Sequence, residues 1–212
     1  MNARVLVSNT WRDLARSHGC DATSADGTLE ELVRAYTEPH RHYHTLDHVA
    51  DLLRLLESHG GVSDADAVKL AILFHDVVYD PARHDNEAAS ANLAMKRLSS
   101  LGFPRQLIGK VERYVLATQH DRAPQARVDA DLDVLLDLDL SVLAAASDRY
   151  QAYASAIRQE YLAVPDALYR PGRRRVLEVF LARPQIYRTE RLRALWEGRA
   201  RANLSGEIAA LA

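Results

Sequence analysis

Apolar residues recur along this chain at intervals of three and four, and nowhere do they alternate singly with polar ones. The period is that of helices whose one face is buried, so the pattern predicts an all-α fold. Thr10 to His18 predicts a short first helix closed by Gly19. Cys20 to Gly27, rich in Asp, Ser and Gly, predicts a loop. Thr28 with Glu31 three residues later forms a capping-box pattern opening a second helix, which must stop before Pro39. From about Leu46, the residues Val49, Leu52, Leu53, Leu55 and Leu56 make an apolar face that Gly60-Gly61 ends. Asp64 can cap the following helix, and Asp85 or Asn86 the one after it. Leu107, Val111, Tyr114, Val115 and Thr118 carry a further helix toward His120. Ser147 or Asp148 opens another, to about Ala163. Beyond it Pro165, Pro171-Gly172 and Pro184 punctuate two Arg-rich helices. The whole of 1–212 is expected to form a single domain, with the helices of roughly 147–210 packed on the rest.

Two stretches break the amphipathic rule. Leu70 to Tyr79 is an almost unbroken apolar run holding His75 and Asp76 side by side. It has no polar face, so it belongs in a core, where a carboxylate needs compensation for its charge. A metal ion meets that need, and so does a network of hydrogen bonds alone. The second stretch runs from Asp129 to Leu143 and contains five aspartates. Leu132, Leu136, Asp139 and Leu143 share one stripe, which turns Asp139 toward the core. Asp133 and Asp137 fall on another face with Ser141 and are expected to be solvated.

Histidine placement adds to this. Four of the nine histidines fall between His40 and His48. His48 lies on the Leu52–Leu55 side of its helix, facing the core, whereas His40 and His42 read as loop residues. The core-facing ionisable residues are then His48, His75, Asp76 and Asp139. Two neutral imidazoles and two carboxylates balance a divalent cation and leave coordination positions for water. Mixed nitrogen and oxygen donors suit manganese, magnesium, iron, cobalt or nickel better than a closed structural zinc site, though zinc is possible.

Composition narrows the classes. A net charge of −2 argues against a partner such as a nucleic-acid polymer bound through a basic surface. Cys20 is the only cysteine, so no intrachain disulfide forms, as suits a reducing compartment. The residues from Met1 to Ser8 are too weakly apolar for a signal peptide, and nothing approaches the roughly 18 apolar residues of a membrane span. The expectation is a cytoplasmic protein without a membrane partner, a monomer or homodimer.

His48, then His75-Asp76, then Asp139 resembles the H…HD…D signature of the HD superfamily of metal-dependent phosphohydrolases. The signature spans roughly 40–145. Further words resemble one uncharacterised branch of that superfamily: Tyr43-His44-x-x-x-His48, Phe74-His75-Asp76-x-x-Tyr79, Asn86-Glu87-x-x-Ser90-Ala91, Asp137-Leu138-Asp139-Leu140, Ile157-Arg158-x-Glu160-Tyr161 and Ala200-Arg201-x-Asn203-Leu204. A more distant likeness is to the cyclic-nucleotide phosphodiesterases, whose Tyr-His-Asn pattern is here Tyr43-His44-Thr45. The resemblance implies an all-helical HD-type domain that hydrolyses a small-molecule phosphoester with a divalent metal. His44 would be the proton donor, Glu87 a water-orienting residue and His120 a contact to a second metal or to substrate. Arg158, Arg173 and Arg201 are candidates to hold phosphate through bidentate hydrogen bonds, against the plainer role of surface charge. A phosphomonoester of a nucleotide or a related small molecule is the expected substrate class. A phosphodiester or pyrophosphate on the same site, and a non-catalytic metal or nucleotide sensor, stay open beside it.

Overall fold

The computed structural model describes residues 1–120 and 129–211, and among them there are helices and no strands. The all-α expectation holds. In chain order the elements are α1 (Ala3–Ser17), α2 (Ala22–Ala35), α3 (Leu46–His59), α4 (Ala65–Phe74), α5 (Asn86–Ser100) and α6 (Arg105–Ala117). Then follow α7 (Ala130–Asp139), a 3₁₀ turn (Leu140–Ala144), α8 (Ser147–Glu160), α9 (Asp166–Leu181) and α10 (Glu190–Ala210). The chain divides into two compact units, Met1–Gln119 and His120–Ala212. No described helix is long and apolar enough to cross a membrane.

The first unit is built around α4. Its residues Ala67, Val68, Leu70, Ala71, Ile72, Leu73 and Phe74 have no exposed surface, and α1, α3, α5 and α6 all pack against it. The Asp64 carboxylate accepts the Ala67 amide at its start, as the sequence suggests, and also receives Lys110 Nζ at 3.1 Å. The helix ends at Phe74, so His75 and Asp76 occupy the turn that follows it rather than its body.

Two helix starts differ from the periodic reading. The first helix opens at Ala3, because the Asn2 side chain caps Arg4 and because Ala3 and Val7 are buried. The segment expected to be a loop forms the start of α2, opened by the Asp21 side chain accepting the Ser24 amide. Thr28 lies inside α2, with its hydroxyl donating to the Ser24 carbonyl. Burial of Ala25, Leu29 and Leu32, and the Trp11 indole donating to the Ala25 carbonyl, outweigh the weak helix propensity of Gly, Ser and Asp there.

The second unit corrects two more expectations. Pro171 does not break the chain but sits inside α9, where Tyr169, Arg173, Leu177 and Phe180 bury one face on both sides of it. Only the main-chain bond to the Ala167 carbonyl is forgone. Asp133 and Asp137 are not solvated: both are buried, and Asp137 has no exposed surface. From Asp131 to Leu138 every residue of α7 is buried, so the helix has no solvent face to which they could turn. Their charge meets the start of α10 instead. Asp137 accepts the Arg188 amide at 2.6 Å and both the amide and the hydroxyl of Thr189 at 2.7 Å. Thr189 is itself the cap of α10, and Arg188 Nε reaches Asp133 at 2.6 Å. A carboxylate at a helix start satisfies otherwise orphaned amides and favours the dipole.

Asp137→Ala should therefore destabilise the protein by about 2–4 kcal/mol, because three part-buried donors lose a fully buried acceptor. Urea unfolding monitored by circular dichroism reads this as a lower midpoint. Burial pushes the Asp137 carboxyl above its ordinary value, and the Arg188 and Thr189 donors offset only part of that rise. A carboxyl raised by folding contributes stability below its unfolded value of about 3.9 and loses it as pH climbs through the folded value. The midpoint of the parent relative to Asp137→Asn should thus be most favourable near pH ~3 and decline through the mildly acidic range.

Candidate metal centre

His48, His75 and Asp76 come together in the first unit and form a group that could hold a metal ion. His48 arrives from the first turn of α3, which Thr45 caps by accepting the Asp47 amide. His75 and Asp76 arrive from the turn that ends α4. His48 Nε2 lies 3.1 Å from His75 Nε2, and His75 Nε2 lies 3.0 Å from Asp76 Oδ2. His48 Nε2 to Asp76 Oδ2 is 3.9 Å. The two imidazoles are buried, and the Asp76 side chain retains 17 % exposure, so the carboxylate is the most solvent-accessible of the three.

The protonation of His75 decides what this arrangement is. Its Nδ1 stands 2.9 Å from the Ile72 carbonyl, and a carbonyl only accepts, so the proton is on Nδ1. In the neutral ring Nε2 then presents a lone pair, and that lone pair faces a carboxylate oxygen and a second imidazole nitrogen. Something positive belongs between them. A proton can bridge one pair of these atoms but not all three. A triangle with sides of 3.0, 3.1 and 3.9 Å has its centre about 2.0 Å from each corner, which is the metal–nitrogen and metal–carboxylate distance of a bound divalent ion. A carbonyl behind the ring, fixing its tautomer and orientation, is the usual support of a metal-binding histidine.

The surrounding turn is fastened at several points. The Ser90 hydroxyl donates to the Val78 carbonyl and accepts the Val78 amide, and Asn86 makes the same pair of bonds with Asp80. The Tyr36 hydroxyl accepts the Asp76 amide at 3.3 Å, and burial raises the pKa of this phenol well beyond its ordinary value. It is a neutral hydroxyl at any physiological pH.

Other expected site residues fall in distinct places. His44 precedes α3, with Nε2 4.0 Å from Asp76 Oδ2 and its ring 4.2 Å from that of Tyr79. It stands beside the three clustered donors rather than among them. Glu87 is in the first turn of α5 and is likewise outside that group. Asp139, expected as a fourth ligand, belongs to the second unit, where its Oδ2 lies 2.8 Å from His120 Nε2. His120 packs near Phe180, and its carbonyl accepts from Arg183.

The three arginines proposed for phosphate are engaged within the second unit. Arg158 spans Asp166 and the carbonyls of Tyr161 and Val164. Arg173 is buried and pairs with Glu207, which also receives the Tyr150 hydroxyl at 2.6 Å. Arg201 holds Glu197 and the carbonyls of Leu181, Arg183 and Pro184. Their guanidinium groups tie helices and turns to one another. The sequence reading passed over a different arginine, Arg41, whose guanidinium is fully buried beside the cluster. Its one signal in the sequence is its place inside the histidine-rich stretch.

Zinc or manganese at 100 times its dissociation constant should stabilise the parent by about 2.7 kcal/mol, through binding to the folded state alone. Thermal unfolding with and without metal reads this as a raised midpoint. The rise should vanish in His75→Ala and in Asp76→Ala. An equal rise in either variant removes that residue from the ligand set.

No family model matches the chain, and neither a curated protein nor a solved structure matches it.

Proposed function

We propose that this protein is a metal-dependent phosphohydrolase that cleaves a small phosphomonoester, with a nucleotide as the substrate class. The observation that carries the reading is the His75 Nε2 lone pair, fixed by the Ile72 carbonyl, facing His48 and Asp76 at metal-ligand spacing. When bound there, a divalent cation supplies Lewis acidity toward a phosphoryl oxygen and lowers the pKa of a water toward about 7. Three protein donors leave further positions on such an ion for substrate and water. The mixed nitrogen and oxygen set favours manganese, iron, magnesium, cobalt or nickel.

The remaining chemistry falls to neighbouring side chains. His44 holds its imidazole beside Asp76, close enough to deliver a proton to the leaving oxygen without belonging to the ligand group. The neighbouring His44 and Tyr79 rings, tilted by 31° to one another, offer an aromatic surface of the kind on which a nucleobase lies. Asp76, partly open to solvent, is the ligand through which substrate meets the site.

Manganese-loaded protein should release phosphate from members of a panel of phosphomonoesters, phosphodiesters and pyrophosphates, with the monoesters fastest. His44→Ala should lower kcat by about 10²–10⁴-fold and leave metal content unchanged. Loss of metal in that variant makes His44 a ligand instead. Absence of turnover on the whole panel with manganese, magnesium, iron, cobalt and nickel refutes the enzymatic reading.

A further inference from the structure

We propose that Arg41 is the positioning residue of this centre, the group that fixes His44 relative to Asp76. The inference rests on the metal-site reading above and adds a part to it. The Arg41 side chain has no exposed surface. Nη1 donates to the His44 carbonyl at 3.2 Å and to the Asp76 carbonyl at 2.7 Å, and Nη2 donates to the Val77 carbonyl at 3.0 Å. Nε is held by Glu38 at 3.0 Å. One planar group thus joins the turn before α3 to the turn after α4, two segments 35 residues apart at the Arg41–Asp76 bond.

Two of the three carbonyls it grips are those of the residues whose side chains must act together. His44 Nε2 and Asp76 Oδ2 are 4.0 Å apart, and each is attached to a peptide bonded to the same guanidinium nitrogen. The plane itself is fixed by aromatic neighbours. Its carbon lies 5.2 Å from the Tyr36 ring centre and 5.4 Å from that of Tyr79. Those rings are in turn part of the centre: the Tyr36 hydroxyl accepts the Asp76 amide, and the Tyr79 ring packs at a tilt against that of His44. A lysine would keep the charge but lose the fork, because a single ammonium cannot reproduce a rigid set of donors spread over three carbonyls.

The test compares Arg41→Lys with Arg97→Lys. Arg97 makes a bidentate pair with Glu31 at 2.6 and 2.7 Å, in the same unit but with no bond to the centre. Titration calorimetry with zinc should show affinity falling about 10–100-fold in Arg41→Lys, the usual cost of removing a support behind a ligand, and no change in Arg97→Lys. In metal-free protein, the nuclear Overhauser contact between the His44 and Tyr79 rings should be lost in Arg41→Lys and kept in Arg97→Lys. Parental zinc affinity in Arg41→Lys, or an equal loss in Arg97→Lys, overturns the proposal. If the parent binds no zinc, the metal-site reading falls and the ring contact alone decides: its survival in Arg41→Lys overturns the positioning role.

Discussion

From Leu70 onward α4 is apolar on every side, and it ends inside the protein. Its final carbonyls and the turn beyond them cannot be left to water, because an unpaired buried polar group costs about 1–3 kcal/mol. The partners that meet this demand are the same groups that build the site. The Ala71 carbonyl takes the His75 amide, the Ile72 carbonyl takes the His75 ring, and the Phe74 carbonyl takes the Val77 amide. Arg41 takes the carbonyls of Asp76 and Val77, and Ser90 closes both polar groups of Val78. Termination of the buried helix and orientation of the ligands are one event.

This explains why a carboxylate tolerates such a place. Asp76 lies at the end of an apolar run, yet the run stops being helical two residues before it, and the turn lifts its side chain toward solvent. The cluster is buried at its imidazoles and open at its carboxylate.

The second unit solves the analogous problem with opposite charge. There α10 begins against α7, and the part-buried amides of Arg188 and Thr189 at its start need an acceptor. Asp137 provides the acceptor, and Asp133 pairs with the Arg188 side chain. The density of aspartate along α7 is therefore explained by the helix start it faces. Arg173 with Glu207 joins α9 to α10, and Arg201, paired with Glu197 along α10, ties that helix to the carbonyls of Leu181, Arg183 and Pro184. In this unit charged residues serve chiefly to terminate and join helices.

Periodicity and punctuation made the helices legible, and the Asp64, Thr45 and Gly60 boundaries of α3 and α4 follow from short-range chemistry alone. The core run with His75-Asp76 and the inward turn of His48 were equally legible, since both depend only on residues a few positions apart. The sequence could not show that Cys20 to Gly27 is mostly helical, because the burial that makes it so comes from Trp11 and neighbouring helices. Nor could it separate Asp137 from a solvated residue: stripe arguments assume one wet face, and α7 has none between Asp131 and Leu138. Arg41 was beyond reach for the same reason, its partners lying 35 and 36 residues away. Local patterns decide which segments are helices and which side chains turn inward. Only the packed structure decides what those side chains meet, because a buried polar group is defined by a partner that the chain brings from elsewhere.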